Sequence, residues 1–515
     1  MSYIKWIWMI CVCIWSLSPA MMIHAKEAVF QGANIKVEGF QRNTNIYDGN
    51  RNTYSVCGQE NAVTISRPEG IGSIYIEFDR IPKNWTITDP QSQITVTCGE
   101  NGYLHEYVDI AAVIKKIPEE LTLKFPEGTS VADIYIFSEG TPPDWVQIWN
   151  PPHEETDLML LSSHSDDEQL FFAGVLPYYA VERKMNVQVV YVVQHFEAGG
   201  VENHQRPHEQ LDGLWKVGVR NYPIMSEFPD LYAESKDRET ALKQMLAVYQ
   251  GAGYTYEDFV EYFTECIRRC KPLVIVSHDP NGEYGHGTHV LCVEALKEAL
   301  ECAGKEEKFP ESAKLYGTWN VEKTYLHLYE ENPIVMDFDI PLESMGGKTA
   351  FQVTQEGFGC HKSQHWTWFY KWMYGTADRP IKKATDIVKY SPCYYGLYDS
   401  KVGIDSVGGD FMENVKSYEK RALEAARKAE EERLAAEAAK AKEEEERLLR
   451  EQKELEALKQ KEMLEEKQRK EAVIKITVVS SIIVLFLGIC LVWIWRKKKK
   501  KQVWNYNDER KEINL

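Results

Sequence analysis

The sequence predicts a multidomain protein with a β-sandwich, a layered α/β domain, a charged helical stalk and one transmembrane helix, in that order. Short alternating apolar segments occupy the first part of the 515-residue chain, and apolar runs typical of buried parallel strands follow them. A run rich in Glu, Lys and Arg then leads to an uncharged apolar segment near the C terminus. Because the composition changes this sharply along the chain, we interpret each segment separately.

Residues 1–25 have the features of a secretory signal peptide. Lys5 precedes an apolar run from Trp6 to Trp15, and the small residues Ala20 and Ala25 mark possible cleavage points. A signal anchor is the alternative interpretation. The apolar run is, however, shorter than the roughly 20 residues that cross a bilayer as a helix, which favours the signal peptide.

Residues 26–143 contain short strand-like segments such as SIYIEF, QITVT and ADIYIF, separated by Pro, Gly and Asn. This pattern predicts a β-sandwich of about a hundred residues. The segments YDGNRNTYSVC and VADIYIFSEG resemble the galactose-binding, or discoidin, type of jelly roll. Two roles stay open for this domain, which are glycan binding and packing against the next domain. Cys57 and Cys98 fall in the same module, and we expect them to pair if the chain is exported.

Residues 150–405 have the pattern of an α/β domain. The runs DLMLLSS, NVQVVYVV and PLVIVS are typical of buried parallel strands, and helical segments separate them. This alternation predicts a Rossmann-like layered fold, in which functional sites form beyond the carboxyl ends of the strands. The residues that follow the first and third of these runs are therefore the first candidates for a site.

Two polar motifs stand at those strand ends, SSHSDDEQ and SHDPNGEYGHGTH. They supply His164, Asp166, Asp167, Glu168, His278, Asp279, His286 and His289. Zinc favours nitrogen and carboxylate ligands, and a catalytic zinc site keeps three protein ligands and one position open to water. Because parallel strands end at the same edge of a sheet, the two motifs together predict a zinc site there.

The ordered pattern SHSDDE followed by HDP-x-x-x-x-GH-x-x-H resembles the LmbE/PIG-L family of zinc-dependent N-acetylglucosaminyl deacetylases. RPHEQLDGLWKVGV is similar to the R-x-x-E helix of that family, and CHKSQ is similar to its late H-x-S-Q. The resemblance covers about residues 157–370 and implies an LmbE-like catalytic domain. Ser165 replaces the usual Pro and QHFEAGG replaces the usual Thr-x-Gly, so the ligands are kept and the substrate preference is open.

The resemblance implies that His164, Asp167 and His289 bind Zn²⁺. Asp166 would be the general base that takes a proton from the attacking water, and it or His286 would protonate the departing amine. A protonated His286 would also stabilise the tetrahedral oxyanion. The implied reaction removes the acetyl group from an N-acetylglucosamine-type sugar.

Two further residues are implied to contact the substrate. Arg206 would hold sugar hydroxyls or a neighbouring phosphate, and Asp230 in EFPDLY is a second candidate contact. The structural alternatives are that Asp166 and Asp167 cap a helix N-terminus and that Arg206 only forms a local ion pair. His361 in CHKSQ is expected to support other residues rather than to act on the substrate.

Two other functions remain as alternatives. One is a zinc amidase of the same fold that acts on another amide, and the other is a stalked, non-catalytic glycan-binding surface protein. The presence of Asp166 favours an enzyme, because a degenerate scaffold needs no base beside a metal. The formal net charge of −18 argues against a nucleic-acid-binding protein. The sequence does not predict the oligomeric state.

Residues 412–472 predict a charged helical stalk. Acid-first pairs such as Glu424/Lys428 and Glu466/Lys470 are four residues apart, which stabilises a helix. A coiled coil is the alternative, but a heptad through Leu434 and Leu448 would place Glu444 at a core position. We therefore favour a single helix, whose length over about 53 residues would be on the order of 80 Å.

Residues 476–495 are uncharged and long enough to cross a membrane as one helix. The basic run RKKKKK follows at once and begins the predicted cytoplasmic tail at residues 496–515. Since basic residues favour the cytoplasmic side, the sequence predicts a single-pass membrane protein with its catalytic domain outside. We expect the outer surface of a bacterial cell, with an N-acetylated glycan as the substrate.

Overall fold

The computed structural model describes residues 33–198 and 200–508. The signal peptide predicted at residues 1–25 lies outside the described residues, as does the end of the basic tail. The chain divides into two compact units, residues 1–420 and residues 421–515. The first unit contains every residue of the predicted site.

The N-terminal region is rich in antiparallel β-structure, as the sequence predicts. The strands are β1 (Asn34–Phe40), β2 (Ser55–Ser66), β3 (Ser73–Phe78), β4 (Trp85–Asp89), β5 (Ile94–Cys98), β6 (His105–Asp109), β7 (Glu120–Lys124) and β8 (Ser130–Phe137), with helix α1 at Ile110–Ile114. Their order in the sheet is β5-β4-β7-β2-β8-β3-β6, and β1 pairs with β2. The start of β2 pairs with β8 and its later part with β1 and β7, so this one strand belongs to both halves of the domain.

The cysteines of this region are not cross-linked. Cys57 and Cys98 are both buried free thiols, and the Cys57 thiol donates a hydrogen bond to the carbonyl of Pro126 at 3.0 Å. The pairing expected from the sequence is therefore wrong. Location in the same module was its only basis, and the two side chains meet different neighbours.

A seven-stranded sheet organises the α/β region that follows. Its strands are β9 (Leu158–Ser162), β10 (Val187–Tyr191), β13 (Ile224–Met225), β15 (Val274–Ser277), β16 (Lys323–His327), β17 (Pro333–Val335) and β20 (Tyr394–Ser400). Their order in the sheet is β13-β10-β9-β15-β16-β20-β17. The first five strands of that order are parallel, β20 runs antiparallel to β16, and β17 runs antiparallel to β20. The three apolar runs that predicted buried strands form β9, β10 and β15, which are neighbours at the centre of the sheet.

Helices and small sheets complete the domain. The helices are α2 (Asp167–Leu170), α3 (Arg206–Lys216), α4 (Arg238–Gly251), α5 (Tyr256–Cys270), α6 (Gly287–Ala303), α7 (Pro310–Tyr316), α8 (Ala350–Phe358) and α9 (Trp368–Tyr374). One small sheet contains β11 (Gln194–Ala198), β12 (Val201–Glu202) and β14 (Pro229–Asp230), and another contains β18 (Gly375–Thr376) and β19 (Arg379–Pro380).

Both faces of the central sheet are buried. Leu158 and Leu160 of β9 belong to one hydrophobic cluster, whereas Met159 and Leu161 belong to another, because successive side chains of a strand point to opposite faces. The second cluster includes the apolar faces of α5 and α6. A strand covered on both sides explains why the sequence of β9 is continuously apolar.

Residues Tyr418–Asp508 form one continuous helix, α10. Its charged part carries internal ion pairs, for example Arg433 with Glu430 and Glu437, and Lys470 with Glu466. The apolar part reaches a mean hydropathy of 2.7 and contains no break. By length and composition, this helix could span a membrane.

Candidate metal and catalytic site

The two motifs predicted to form the site lie at neighbouring strand ends. His164 and Asp167 follow β9, with Asp167 as the first residue of α2, and His289 lies in the first turn of α6, which follows β15. Strands β9 and β15 pair in parallel, so their carboxyl ends meet at one edge of the sheet. All three side chains are buried there.

Three donor atoms from these residues form a nearly equilateral triangle. His164 Nδ1 lies 3.1 Å from Asp167 Oδ2, His289 Nε2 lies 3.2 Å from His164 Nδ1, and His289 Nε2 lies 3.3 Å from Asp167 Oδ2. A tetrahedral zinc ion with bonds of about 2.0–2.1 Å would require edges of about 3.3–3.4 Å between its ligand atoms. The triangle therefore has the dimensions of one face of such a site.

His278 also approaches the triangle, with its Nε2 at 3.6 Å from Asp167 Oδ2. Its Nε2 accepts a hydrogen bond of 2.8 Å from the backbone N–H of Ser163, and its Nδ1 donates to Glu283 at 2.9 Å. The lone pair that a metal would need is therefore already engaged. This favours His164 over His278 as the second histidine of the site.

Glu283 orients the histidines from behind. Its buried carboxylate accepts hydrogen bonds from Nδ1 of His289 at 2.7 Å, of His278 at 2.9 Å and of His327 at 2.7 Å. Burial opposes its ionisation, but the charges of His278 and His289 and their hydrogen bonds outweigh burial and hold the pKa of Glu283 well below its usual range. Because Glu283 holds a proton on Nδ1 of His289, the neutral form of this ring presents an unprotonated Nε2 to the triangle, which is the form that binds a metal.

Asp166 has an unusual backbone conformation, with φ at 113° and ψ at −29°. Non-glycine residues rarely adopt positive φ, and such strain is concentrated at functional sites. Burial raises the pKa of the Asp166 carboxyl to about 7, with the guanidinium of Arg206 acting against burial and the charge of Asp167 acting with it. A buried carboxyl that exchanges its proton near neutral pH is suited to general acid–base chemistry.

Arg206 and Asp230, the two residues expected to contact a substrate, both lie beside the metal triangle. The Arg206 guanidinium donates to Asp230 Oδ2 at 3.0 Å, to Asp166 Oδ1 at 3.2 Å and to the carbonyl of Ser165 at 3.2 Å. Asp230 Oδ1 lies 3.5 Å from His164 Nε2. Arg206 thus forms local ion pairs, and these pairs place its charge at the edge of the metal triangle.

His286 lies beside the triangle, with its ring centre 4.7 Å from those of both His164 and His289. Its Nδ1 accepts the backbone N–H of Thr288 at 3.2 Å, so a neutral ring carries its proton on Nε2. Burial, together with the charges of His164 and His289, lowers the pKa of His286 well below its usual value. The imidazolium expected from the sequence is therefore disfavoured, and a neutral ring that donates through Nε2 is favoured.

Contacts made by two of the sequence motifs, R-x-x-E and H-x-S-Q, hold the segments around the site together. Glu209 of the R-x-x-E helix accepts hydrogen bonds from the backbone N–H and the hydroxyl of Ser363 in H-x-S-Q, at 2.9 and 2.5 Å. His361 lies 3.5 Å from Glu168, whose carboxylate accepts the N–H of Asp166 at 2.9 Å. His361 therefore lies next to the carboxylate that holds the backbone of Asp166.

The sequence motifs did not identify three residues of the site, namely Glu283, His327 and His195. His195 lies in QHFEAGG, where the sequence departs from the usual Thr-x-Gly, and its Nε2 accepts the N–H of Ser165 at 2.7 Å. This departure from the usual motif is the sequence feature that could have identified His195. No spacing pattern distinguishes Glu283 or His327 from other polar residues, since His327 lies 44 positions beyond its partner Glu283.

The fold and the site define an α/β protein with a His/Asp cluster suited to a catalytic divalent metal. Residues 159–300 match the family model described as PIG-L: GlcNAc-PI de-N-acetylase.

Individual proteins are similar to parts of the chain. A 1D-myo-inositol 2-acetamido-2-deoxy-alpha-D-glucopyranoside deacetylase from Rhodococcus opacus is 25% identical over 193 residues, which are 35% of this chain and 64% of that protein. The protein of the same description from Rhodococcus jostii is 26% identical over 203 residues, covering 36% of this chain and 68% of that one. The solved N,N'-diacetylchitobiose deacetylase from Pyrococcus horikoshii is 15% identical, with a TM-score of 0.31 over 47% of this chain and 84% of that chain.

Proposed function

We propose that this protein is a zinc-dependent deacetylase that removes the acetyl group from N-acetylglucosamine-type sugars of a cell-surface or extracellular glycan. The observation that carries the proposal is the triangle of His164, Asp167 and His289 donor atoms, with edges of 3.1 to 3.3 Å. Two nitrogen donors and one carboxylate oxygen form a ligand set that zinc favours in hydrolases. The family of the domain supports the choice of an acetamide as the bond that is cleaved.

In the proposed mechanism, His164, Asp167 and His289 would hold a zinc ion, which would supply Lewis-acid chemistry by lowering the pKa of water to about 7 and polarising the acetamide carbonyl. Asp166 accepts a proton from the attacking water, whose oxygen adds to the acetyl carbon. The Nε2–H of His286 donates to the oxyanion that forms. Protonated Asp166 then delivers its proton to the sugar nitrogen as the C–N bond breaks, which yields acetate and a free amine. Arg206 keeps Asp166 oriented through its 3.2 Å contact.

Exposed aromatic rings beside His286 suggest how a sugar is held. Tyr232 is 64% exposed and its ring centre is 5.2 Å from that of His286. Trp368 is 47% exposed and packs at 5.8 Å against Tyr284, which packs at 5.5 Å against His286. Large aromatic rings usually bury their faces, so exposed rings at a polar site favour a ligand with apolar faces, such as a pyranose.

We expect Trp368→Ala to raise KM for N-acetylglucosamine oligosaccharides about fivefold, because stacking on one ring contributes about 1 kcal/mol. The kcat should stay near that of the parent protein, since Trp368 contacts none of the reacting groups. Acetate release from oligosaccharides of increasing length would measure both constants. Leu315→Ala, which removes an exposed side chain from α7, is the control. An unchanged KM in Trp368→Ala would contradict the proposed stacking.

Glu283→Gln is expected to weaken zinc affinity about 10- to 100-fold, which is the usual cost of losing a carboxylate that orients a metal-binding histidine. An amide presents one acceptor oxygen and cannot serve His278, His289 and His327 together. Competition with a chelator would measure the affinity. Glu294→Gln, in α6 but paired with Arg238 and Lys297, should bind zinc like the parent protein. Equal affinities in the two variants would show that Glu283 does not orient the metal ligands.

We further propose that the apolar part of α10 anchors the protein in a membrane with the catalytic unit outside. The support is the basic run 496–501, because such runs favour the cytoplasmic side. The test is to measure acetate release by intact cells that carry the protein, before and after the cells are treated with protease. With the catalytic unit outside, the intact cells should release acetate, and the protease should remove that activity. Activity that appears only after lysis would contradict it.

The test of the proposed function is acetate release by the full chain in detergent, loaded with zinc. Substrates would include chito-oligosaccharides, peptidoglycan fragments and N-acetylglucosaminyl inositol, with a non-sugar acetamide as the comparison. Equal amounts of acetate and new primary amine from the sugars support the proposal. Cleavage of the non-sugar amide alone would favour the general amidase, and glycan binding without cleavage would favour the non-catalytic surface protein.

A further inference from the structure

A ring of hydrogen bonds joins the β-sandwich to α3. On the side of α3, the ring includes His208 and Asp212, which are four residues apart on one face of the helix. His105 of β6 lies 2.6 Å from His208, Gln147 lies 2.7 Å from His105, and the Gln147 amide donates to Asp212 at 2.7 Å. Both histidines and Gln147 are buried. Since buried polar groups are costly without partners, this ring specifies one docked position of α3.

The direction of each hydrogen bond in the ring is determined by its neighbours. The Gln147 amide nitrogen donates to Asp212, so its Oε1 accepts both the Nδ1–H of His105 and the indole N–H of Trp149, the latter at 3.0 Å. His105 Nε2 must then accept the Nδ1–H of His208. Burial, supported by the charge of Arg51, lowers the pKa of both histidines well below the usual value, which keeps them neutral as this pattern requires.

An ion pair reinforces the same contact. The Arg51 guanidinium, on the loop between β1 and β2, donates to Asp212 at 2.6 Å and to Glu77 of β3 at 2.6 Å. Glu77 is fully buried, so it depends on Arg51 for charge compensation. Arg51 thus connects a carboxylate of the sandwich to a carboxylate of α3. Loss of Arg51 would leave the carboxylate of Glu77 buried without its cationic partner.

Helix α3 leads directly into the candidate site. It begins at Arg206, which contacts Asp166 and Asp230, and it carries Glu209, which holds the H-x-S-Q segment. His208 is only two residues beyond Arg206. Because an 11-residue helix moves as a rigid element, a shift of its contact with the sandwich would displace Arg206 as well.

We propose that the β-sandwich and the segment that follows it are positioning parts of the catalytic unit, in which Arg51, His105 and Gln147 hold α3 so that Arg206 meets Asp166. The proposal rests on the deacetylase function only for its kinetic readout. It assigns Arg51 the role of a positioning residue that acts through Arg206. A displacement of about 1 Å at a reacting centre can reduce a rate on the order of a hundredfold.

A double-mutant cycle in the full chain tests the coupling. Arg51→Ala should lower kcat for acetate release by at least about tenfold with unchanged zinc content. Arg51→Lys should recover part of the loss, because lysine restores the positive charge but not the planar guanidinium that contacts two carboxylates. In an Arg206→Ala background, Arg51→Ala should change kcat less than about twofold, since coupled residues are not additive. Asp212→Asn should have the same effect as Arg51→Ala. The control is Lys36→Ala, which removes an exposed ion pair of β1 and should have the kcat of the parent protein. Additive losses in the double variant would overturn the proposal.

Hydrogen exchange supplies a readout that does not need activity. In Arg51→Ala, the amides of α3 should exchange faster than in the parent protein, whereas those of α6 should not change. Unchanged exchange in α3 would overturn the positioning role even if the protein deacetylates sugars. Faster exchange confined to α3 in a protein that releases no acetate would support the positioning role and contradict the proposed function.

Discussion

Replacing His289 by alanine is expected to abolish zinc binding and to lower acetate release by more than about a thousandfold, because a Lewis acid contributes several kcal/mol to such a reaction. The substitution removes one corner of the triangle and leaves two ligands, which is fewer than a catalytic zinc site uses. Elemental analysis and an acetate assay on the purified full chain would measure the two effects. Stoichiometric zinc in His289→Ala would place the metal site elsewhere.

Companion variants identify the complete ligand set. His164→Ala and Asp167→Asn should also lose the metal. His278→Gln should retain it, because the Nε2 of His278 is engaged by the N–H of Ser163. Retention of zinc in His164→Ala and its loss in His278→Gln would instead identify Asp167, His278 and His289 as the ligands, a group whose donor atoms also lie within 4.8 Å of one another.

Asp166→Asn should lower kcat by about 10²- to 10⁴-fold while zinc content stays near that of the parent protein, because it removes a general base and no metal ligand. Asparagine suits this test, since it has the same shape and tolerates positive φ better than most residues. Metal analysis and acetate release on the same preparation would separate the two roles. Asp167→Asn provides the contrast, with loss of both. Acetate release by Asp166→Asn at nearly the parental rate would contradict the assigned role of Asp166.

The site predicted from the sequence is brought together by the fold, although its residues come from distant segments. His164 and His289 are 125 positions apart, yet each follows an apolar run that forms a central strand. The topology of parallel sheets makes such strand ends converge. Arg206 and Asp230 were predicted only by resemblance, and their contacts with Asp166 and His164 depend on α3 and β14. Their contact with a substrate stays a prediction.

The sequence left the role of the β-sandwich open between glycan binding and packing. The structure places its polar residues against α3, with His105 and His208 separated by 103 positions. His105 belongs to no motif, and His208 occupies an unspecified position of the R-x-x-E motif, so each alone is typical of an ordinary polar core residue. Their pairing could not be predicted, because it arises from the packing of β6 against α3 rather than from any local pattern.

Local composition and periodicity by themselves determined the antiparallel N-terminal region, the central strands β9, β10 and β15, the charged and apolar parts of α10, and the motifs that hold His164, Asp167 and His289. These features depend on which residues favour burial, pairing or helix formation along a short stretch of chain. Only the tertiary structure placed the carboxylate of Glu283 behind three histidines, the Nδ1 of His286 at the N–H of Thr288, and the ring of hydrogen bonds between β6, Gln147 and α3. Each of these depends on burial and on proton positions, which are set by neighbours brought together only when the chain has folded.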